Sequence, residues 1–331
     1  FLANQIRDPD LRESLRVRVE EESLAIARSD EKRAASPELM VEKVAVKANV
    51  PPVSKPPVPP DLRSHIIGDY DLSEIFSYIN PVMLYTRHLG YKGRFEESLA
   101  TGDPRAIELR HRVQEIENIV IERDDIKASA VYQFFRAASD GDDVVILAPD
   151  GKSVIERFQF GRQQSGDGLC LADYVLNASA TNPDYICCFV TNVGPGVRKL
   201  SEKWMAEGDY LNAHILQILA LEGAEAFAEI MHQRIRSMWG FGDPVGITNR
   251  DLFRADYKGK RFSFGYPACP RLEDQAQLWR LVEPDKRIGV DLTEGFMMDP
   301  ESSVSALVFH HSEAKYFNLN SGDQQVLEAR L

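Results

Sequence analysis

Apolar residues recur three and four positions apart through residues 209–238, at Leu211, Ile215, Ile218, Leu219, Phe227, Ile230, Met231, Ile235 and Met238. This spacing predicts one long central helix, stopped by Gly240 and Gly242. Ile107, Leu109, Val113, Ile116, Ile119 and Val120 repeat the period and predict a core-facing helix over residues 105–123. Leu11, Leu15, Val19 and Leu24 do so in the Glu- and Arg-dense residues 8–35, predicting an amphipathic helix with a charged outer face. Residues 71–81 predict a short helix capped by Asp71 or Ser73 and entering an Asn80-Pro81 turn; residues 271–282 predict another helix. Strand signals lie elsewhere. Residues 144–148 and 153–158 flank Pro149-Asp150-Gly151 and predict a hairpin, because Asp-Gly supplies the positive φ such turns need. Residues 185–191, 261–266 and 304–309 predict further strands, and a last one is expected around residues 315–319. No regular βαβ alternation appears, so the expected class is α+β, a largely antiparallel sheet flanked by helices.

Residues 261–270, Arg-Phe-Ser-Phe-Gly-Tyr-Pro-Ala-Cys-Pro, combine strand alternation with residues a plain strand would not choose. Alternation puts Arg261, Ser263 and Gly265 on one face and Phe262, Phe264 and Tyr266 on the other. A glycine inside a strand marks close approach of a ligand or another backbone, and an arginine fork beside open main chain suits a carboxylate. On these ten residues alone, an edge strand with Arg261 in water is an equally good reading.

Composition narrows the choices. The chain has 331 residues, 44% of them hydrophobic and 27% charged, the balance of a soluble globular protein with a sizeable core. Its 39 Lys and Arg against 51 Asp and Glu give a net charge of −12, which argues against a general nucleic-acid binder. No apolar run is long enough to span a bilayer. The four cysteines, Cys170, Cys187, Cys188 and Cys269, form no C-x-x-C pair, and adjacent Cys187 and Cys188 would face opposite sides of a strand. They read as buried thiols of a reducing compartment, which points to the cytoplasm. His310 and His311 would likewise diverge, so a shared metal is not expected. Val50-Pro51-Pro52-Val53 and Pro56-Pro57-Val58-Pro59-Pro60 favour extended polyproline geometry and read as a linker over residues 36–61. Gly194-Pro195-Gly196 is too short for a dinucleotide loop and reads as a turn. A chain beginning with Phe1 is expected to be a piece of a longer protein. No hydrolase constellation and no phosphate-loop lysine is apparent.

Arg261-x-x-x-Gly265-Tyr266-Pro267-Ala268-Cys269-Pro270 resembles the signature of the S-adenosylmethionine-binding activation domain of cobalamin-dependent methionine synthases. Other segments follow in the family order: Ala224 to Glu229, His232 to Arg236, Trp239-Gly240, Leu292-Thr293-Glu294, Ser303-Val304-Ser305 and Lys315-Tyr316-Phe317. The resemblance spans roughly residues 60–331 and implies a bent sheet with the ligand on its concave side. It divides the chain into the tail of a cobalamin-binding module (1–35), the linker (36–61) and the activation domain (62–331).

The resemblance implies a role in reactivation: binding S-adenosylmethionine so that cobalamin oxidised to the inactive Co(II) state is reductively remethylated. Implied partners are the cobalamin-binding domain of the same polypeptide and a flavodoxin-like or other flavoprotein electron donor; zinc belongs only to the full-length enzyme. Arg261 would hold the methionine carboxylate, and Ser263, Gly265 and Tyr266 would line the ligand. Asn80, Tyr316 and Phe317 would fix its other parts. At Asn80 relatives often carry an aspartate, and at Phe317 a tyrosine. Glu225, one helical turn before Glu229, is a further candidate toward the sulfonium, although a solvated helix face explains the pair as simply. His65-Ile66-Ile67-Gly68 resembles half of the cobalamin motif Asp-x-His-x-x-Gly, with Arg63 at the aspartate's position, and reads as a surface histidine. The competing expectation is a non-catalytic docking or ligand-sensing module of a larger protein. An ordinary methyltransferase lacks its Gly-rich loop here.

Overall fold

A computed structural model of the chain describes residues 47–331. The helix expected over residues 8–35 lies outside the described residues. Strand β1 (Ser64–Tyr70) leads into helix α1 (Leu72–Ser77), whose Ser73 amide donates to the Asp71 carboxylate, one of the two expected caps. After the Asn80-Pro81 corner come a π-helical segment (Val82–His88), α2 (Phe95–Ala100) and α3 (Pro104–Ile121). Helix α3 begins where Asp103 accepts from the amides of Arg105 and Ala106, with Pro104 at the first position, where its missing N–H costs nothing.

Strands β2 (Ala128–Asp140), β3 (Asp143–Leu147) and β4 (Val154–Gln159) form a meander. Its second turn is Asp150-Gly151, with Gly151 at φ +71° and Asp150 accepting from the Lys152 and Ser153 amides. Then follow β5 (Asp184–Val193), α4 (Gly196–Ala206), the 29-residue α5 (Tyr210–Met238), α6 (Asn249–Phe253) and β6 (Lys260–Phe262). The chain closes with α7 (Gln275–Val282), α8 (Pro284–Ile288), the short hairpin β7 (Asp291–Leu292) and β8 (Met298–Asp299), β9 (Ser303–Phe309) and α9 (Ser321–Arg330).

Seven strands make one antiparallel sheet in the order β4-β3-β2-β5-β9-β6, with β1 paired to the first half of β2. The class is α+β, as expected. Every residue of β5 is buried, because both faces of the sheet are covered. Cys187 faces the core beneath α5 with Phe189, Leu219 and Phe227; Cys188 faces the opposite core with Phe158, Trp279 and Phe309. Side chains of this size each contribute about 1.5–3 kcal/mol on burial.

The proline-rich residues lie along the domain: Trp239 Nε1 donates to the Pro57 carbonyl at 2.8 Å, and His311 Nε2 contacts that of Pro51 at 3.0 Å. His310 bonds instead to Asp184 at 2.6 Å, so the adjacent histidines have separate partners.

The structure corrects four expectations. The strand expected at residues 315–319 is an extended segment with no strand partner; its alternation, with Phe317 and Leu319 buried and Tyr316 exposed, reports one face lying on a core, and its main chain is tied by the Leu319 amide to the Pro267 carbonyl. The strand at 261–266 stops at Phe262, because Gly265 adopts φ +84° and its amide bonds to the Cys269 carbonyl. Tyr266 therefore leaves the side of Phe262 and Phe264 and stands 57% exposed. The helix at 271–282 is a 3₁₀ turn, Leu272–Asp274, followed by α7. Gly194-Pro195-Gly196 turns, but it also opens α4, Gly196 being glycine because a Cβ would stand 2.3 Å from the Asp125 carbonyl oxygen.

Candidate functional site

Helix α5 presents Glu222, Glu225 and Glu229 on one face, one turn apart, and β6 ends against that face with Arg261. Register fixes the arginine: Arg261 pairs with Val308 of β9, whose side chain lies in the core beneath α5, while the neighbouring Phe262 points into the opposite core. Arg261 Nη2 lies 3.3 Å from Glu225 Oε2, and its Nε lies 3.6 Å from Glu229 Oε2. Charge-assisted bonds close at 2.7–2.9 Å, so these looser contacts leave guanidinium donors free for another carboxylate. Burial works against the Arg261 charge, yet the two glutamates outweigh it and hold its pKa above the ordinary arginine value. Burial raises Glu229 against the opposing pull of Arg261.

Two adjoining cavities, about 470 and 350 Å³, share Glu225, Arg261, Tyr266 and Tyr316 and form one cleft. The larger adds Tyr78, Asn80, Glu222, Glu229 and Tyr257 and is the more acidic. The smaller is walled by Ser263, Pro267, Ala268 and Phe317 and is the more apolar. Tyr266 donates to Glu225 Oε1 at 3.4 Å, and the nearby Glu225 charge, then burial, raises its pKa. Phe262 anchors the aromatic wall from beneath, with ring centroids 5.4 Å from Tyr316 and 6.5 Å from Phe317.

The cleft thus gathers Arg261, Asn80, Glu225, Ser263, Tyr266, Tyr316 and Phe317, all expected from the sequence. Gly265 does not line it: a Cβ there would stand 2.9 Å from Leu272, so its glycine serves the turn. Asn80 Oδ1 accepts from the Val82 amide at 3.0 Å, committing its acceptor to the local corner. Sequence reasoning missed Tyr257, whose hydroxyl reaches Glu229 across 28 residues. Nothing in the chain pattern singles out that tyrosine.

His65 is half-buried, bonded to Asp61 at 2.9 Å and stacked on Tyr132 at 4.9 Å between ring centroids. The carboxylate absent at Arg63 is supplied from two residues earlier, and the ring is occupied by structural contacts. Among the described residues no cluster of three His, Cys, Asp or Glu side chains could hold a metal ion, and no helix is long and apolar enough to cross a membrane.

Known proteins share this fold. Residues 71–329 match the family described as the vitamin B12 dependent methionine synthase activation domain. The chain is 33% identical over 314 residues to a methionine synthase of Mycobacterium tuberculosis, covering 87% of this chain and 25% of that protein. It is 31% identical over 286 residues to a methionine synthase of Mycobacterium leprae, covering 80% and 23%. It therefore spans about a quarter of the length of these relatives. A crystal structure of the MetH reactivation domain bound to AdoHcy superposes with a TM-score of 0.78 at 28% identity, covering 86% of this chain and 90% of the other. The match runs through both the sheet and the helix that frame the cleft, and the chain belongs to the activation-domain family of vitamin B12-dependent methionine synthases.

Proposed function

We propose that this chain binds S-adenosylmethionine in the cleft and, as part of a larger methionine synthase, supports reductive methylation of cobalamin that has fallen into the inactive Co(II) state. The observation that carries the reading is Arg261, a partly buried guanidinium held loosely by two glutamates where the acidic and aromatic ends of the cleft meet. S-Adenosylmethionine has matching parts: a carboxylate for Arg261, an ammonium and a sulfonium for the acidic end, and a flat adenine for Tyr316 and Phe317. A cation over an aromatic face contributes about 0.5–2 kcal/mol.

The chain's work is to bind and orient. Arg261 fixes the amino-acid end, Ser263 and Tyr266 line the ligand, and Asn80 and Glu225 face its cations. The aromatic wall keeps water from one side of the methyl group, and proximity does the rest. Cobalamin, when bound, supplies the nucleophilic metal. The His65 ring is already taken up by Asp61 and Tyr132, so we assign cobalamin to a cobalamin-binding domain elsewhere in the parent polypeptide, with residues 1–35 as that module's tail and residues 36–61 as the connection to the activation domain, 62–331. A flavodoxin-like or other flavoprotein supplies the electron, zinc belongs to another part of the parent enzyme, and the setting is the cytoplasm. Calorimetry tests the reading: the 331-residue chain binds S-adenosylmethionine, and Arg261→Ala weakens binding by at least about tenfold, the scale of a lost charged hydrogen bond. Equal affinities would remove Arg261 from the site.

A further inference from the structure

We propose that Tyr257 is a positioning residue of the cleft: its hydroxyl fixes the Glu229 carboxylate and, through it, the direction of the Arg261 guanidinium. The inference rests on the assignment of the cleft to S-adenosylmethionine. Tyr257 Oη donates to Glu229 Oε2 at 3.5 Å, and that same oxygen lies 3.6 Å from Arg261 Nε. Glu229 Oε1 is buried with no partner among the described residues, so Tyr257 and Arg261 are what hold this carboxylate.

The tyrosine is itself held from several sides. Arg236 Cζ stands 3.9 Å from its ring centroid, and Asp243 grips Arg236 through Nε at 3.0 Å and Nη2 at 2.5 Å. His232 meets the ring edge-on at 5.2 Å. Lys260 Nζ donates to the Tyr257 carbonyl at 2.5 Å and lies 4.8 Å from the ring. The pinned ring aims the hydroxyl into the cleft, where it meets Glu229 and the Tyr316 hydroxyl. Burial, then the Glu229 charge, pushes the phenol pKa far above its ordinary value, so it stays a donor across working pH. An arginine loosely held by its own glutamates needs such a brace, because a freely rotating guanidinium offers a ligand carboxylate no fixed fork.

Tyr257→Phe keeps the ring, and with it the Arg236 and His232 contacts, while removing the hydroxyl. In the 331-residue chain this variant is expected to melt within a few degrees of wild type and to bind S-adenosylmethionine and S-adenosylhomocysteine about tenfold more weakly. Its affinity for 5′-methylthioadenosine, which lacks the amino-acid end, should not change. Adding Glu229→Gln should weaken binding by less than the sum of the single losses, as expected of residues acting as one unit. Equal losses for all three ligands, unchanged binding of all three, or additive losses would overturn the positioning role. Failure of the wild-type chain to bind any of the three would instead sink the assignment of the cleft, and the inference with it.

Discussion

Asn80 shows how one side chain divides its duties. Its Oδ1 already serves the Val82 amide, so toward a ligand ammonium it brings no charge. An aspartate would keep that bond through one oxygen and offer the other, ionised, to the cleft. Asn80→Asp is therefore expected to tighten S-adenosylmethionine about three- to tenfold, measured by calorimetry at low salt; looser binding would place the ammonium elsewhere. Arg261 stood out in the sequence as an arginine ahead of glycine and prolines, but those residues fitted an edge strand in water equally well, and the family resemblance alone tipped the choice. Its partners stood out less. Glu229 was visible only as the second member of an i, i+4 pair, and Tyr257 not at all, since a contact across 28 residues leaves no local pattern.

Among the elements, those with a regular apolar period, a continuous apolar run or a marked turn were legible. The periods of α3 and α5 and the Asp150-Gly151 turn of the β3–β4 hairpin matched their structures. Strand β2 was not foreseen although it is the longest, because its small Ala and Ser residues with Gln133 and Arg136 break both the alternation and the continuous apolar run that marked β5. The extended segment carrying Tyr316 shows the converse: alternation records which side is covered, not whether a neighbour strand is present. The turn after β6 is where a small change should be most costly. Gly265→Ala meets both a positive φ and the Leu272 side chain, so we expect a loss of about 2 kcal/mol and a lowered melting temperature. An unchanged melting temperature would mean that the turn relaxes freely.

At the scale of the whole molecule, two cores on opposite faces of one sheet make the fold, and α5 is common to the larger core and to the cleft. Its C-cap, Trp239, is almost fully buried and donates to Pro57. Trp239→Phe removes that donor and part of the ring. We expect about 1–2 kcal/mol of lost stability and faster proteolysis near residues 51–60, read by limited digestion and mass spectrometry; an unaltered cleavage pattern would show that the prolines adhere by other contacts. Between Glu225 and Trp239 the helix rises 1.5 Å per residue, or about 21 Å in all. A single rod thus works as a spacer with a carboxylate of the cleft partway along it and the anchorage of the incoming polypeptide at its end, which sets the distance between the two at a length that side-chain adjustments alone cannot alter.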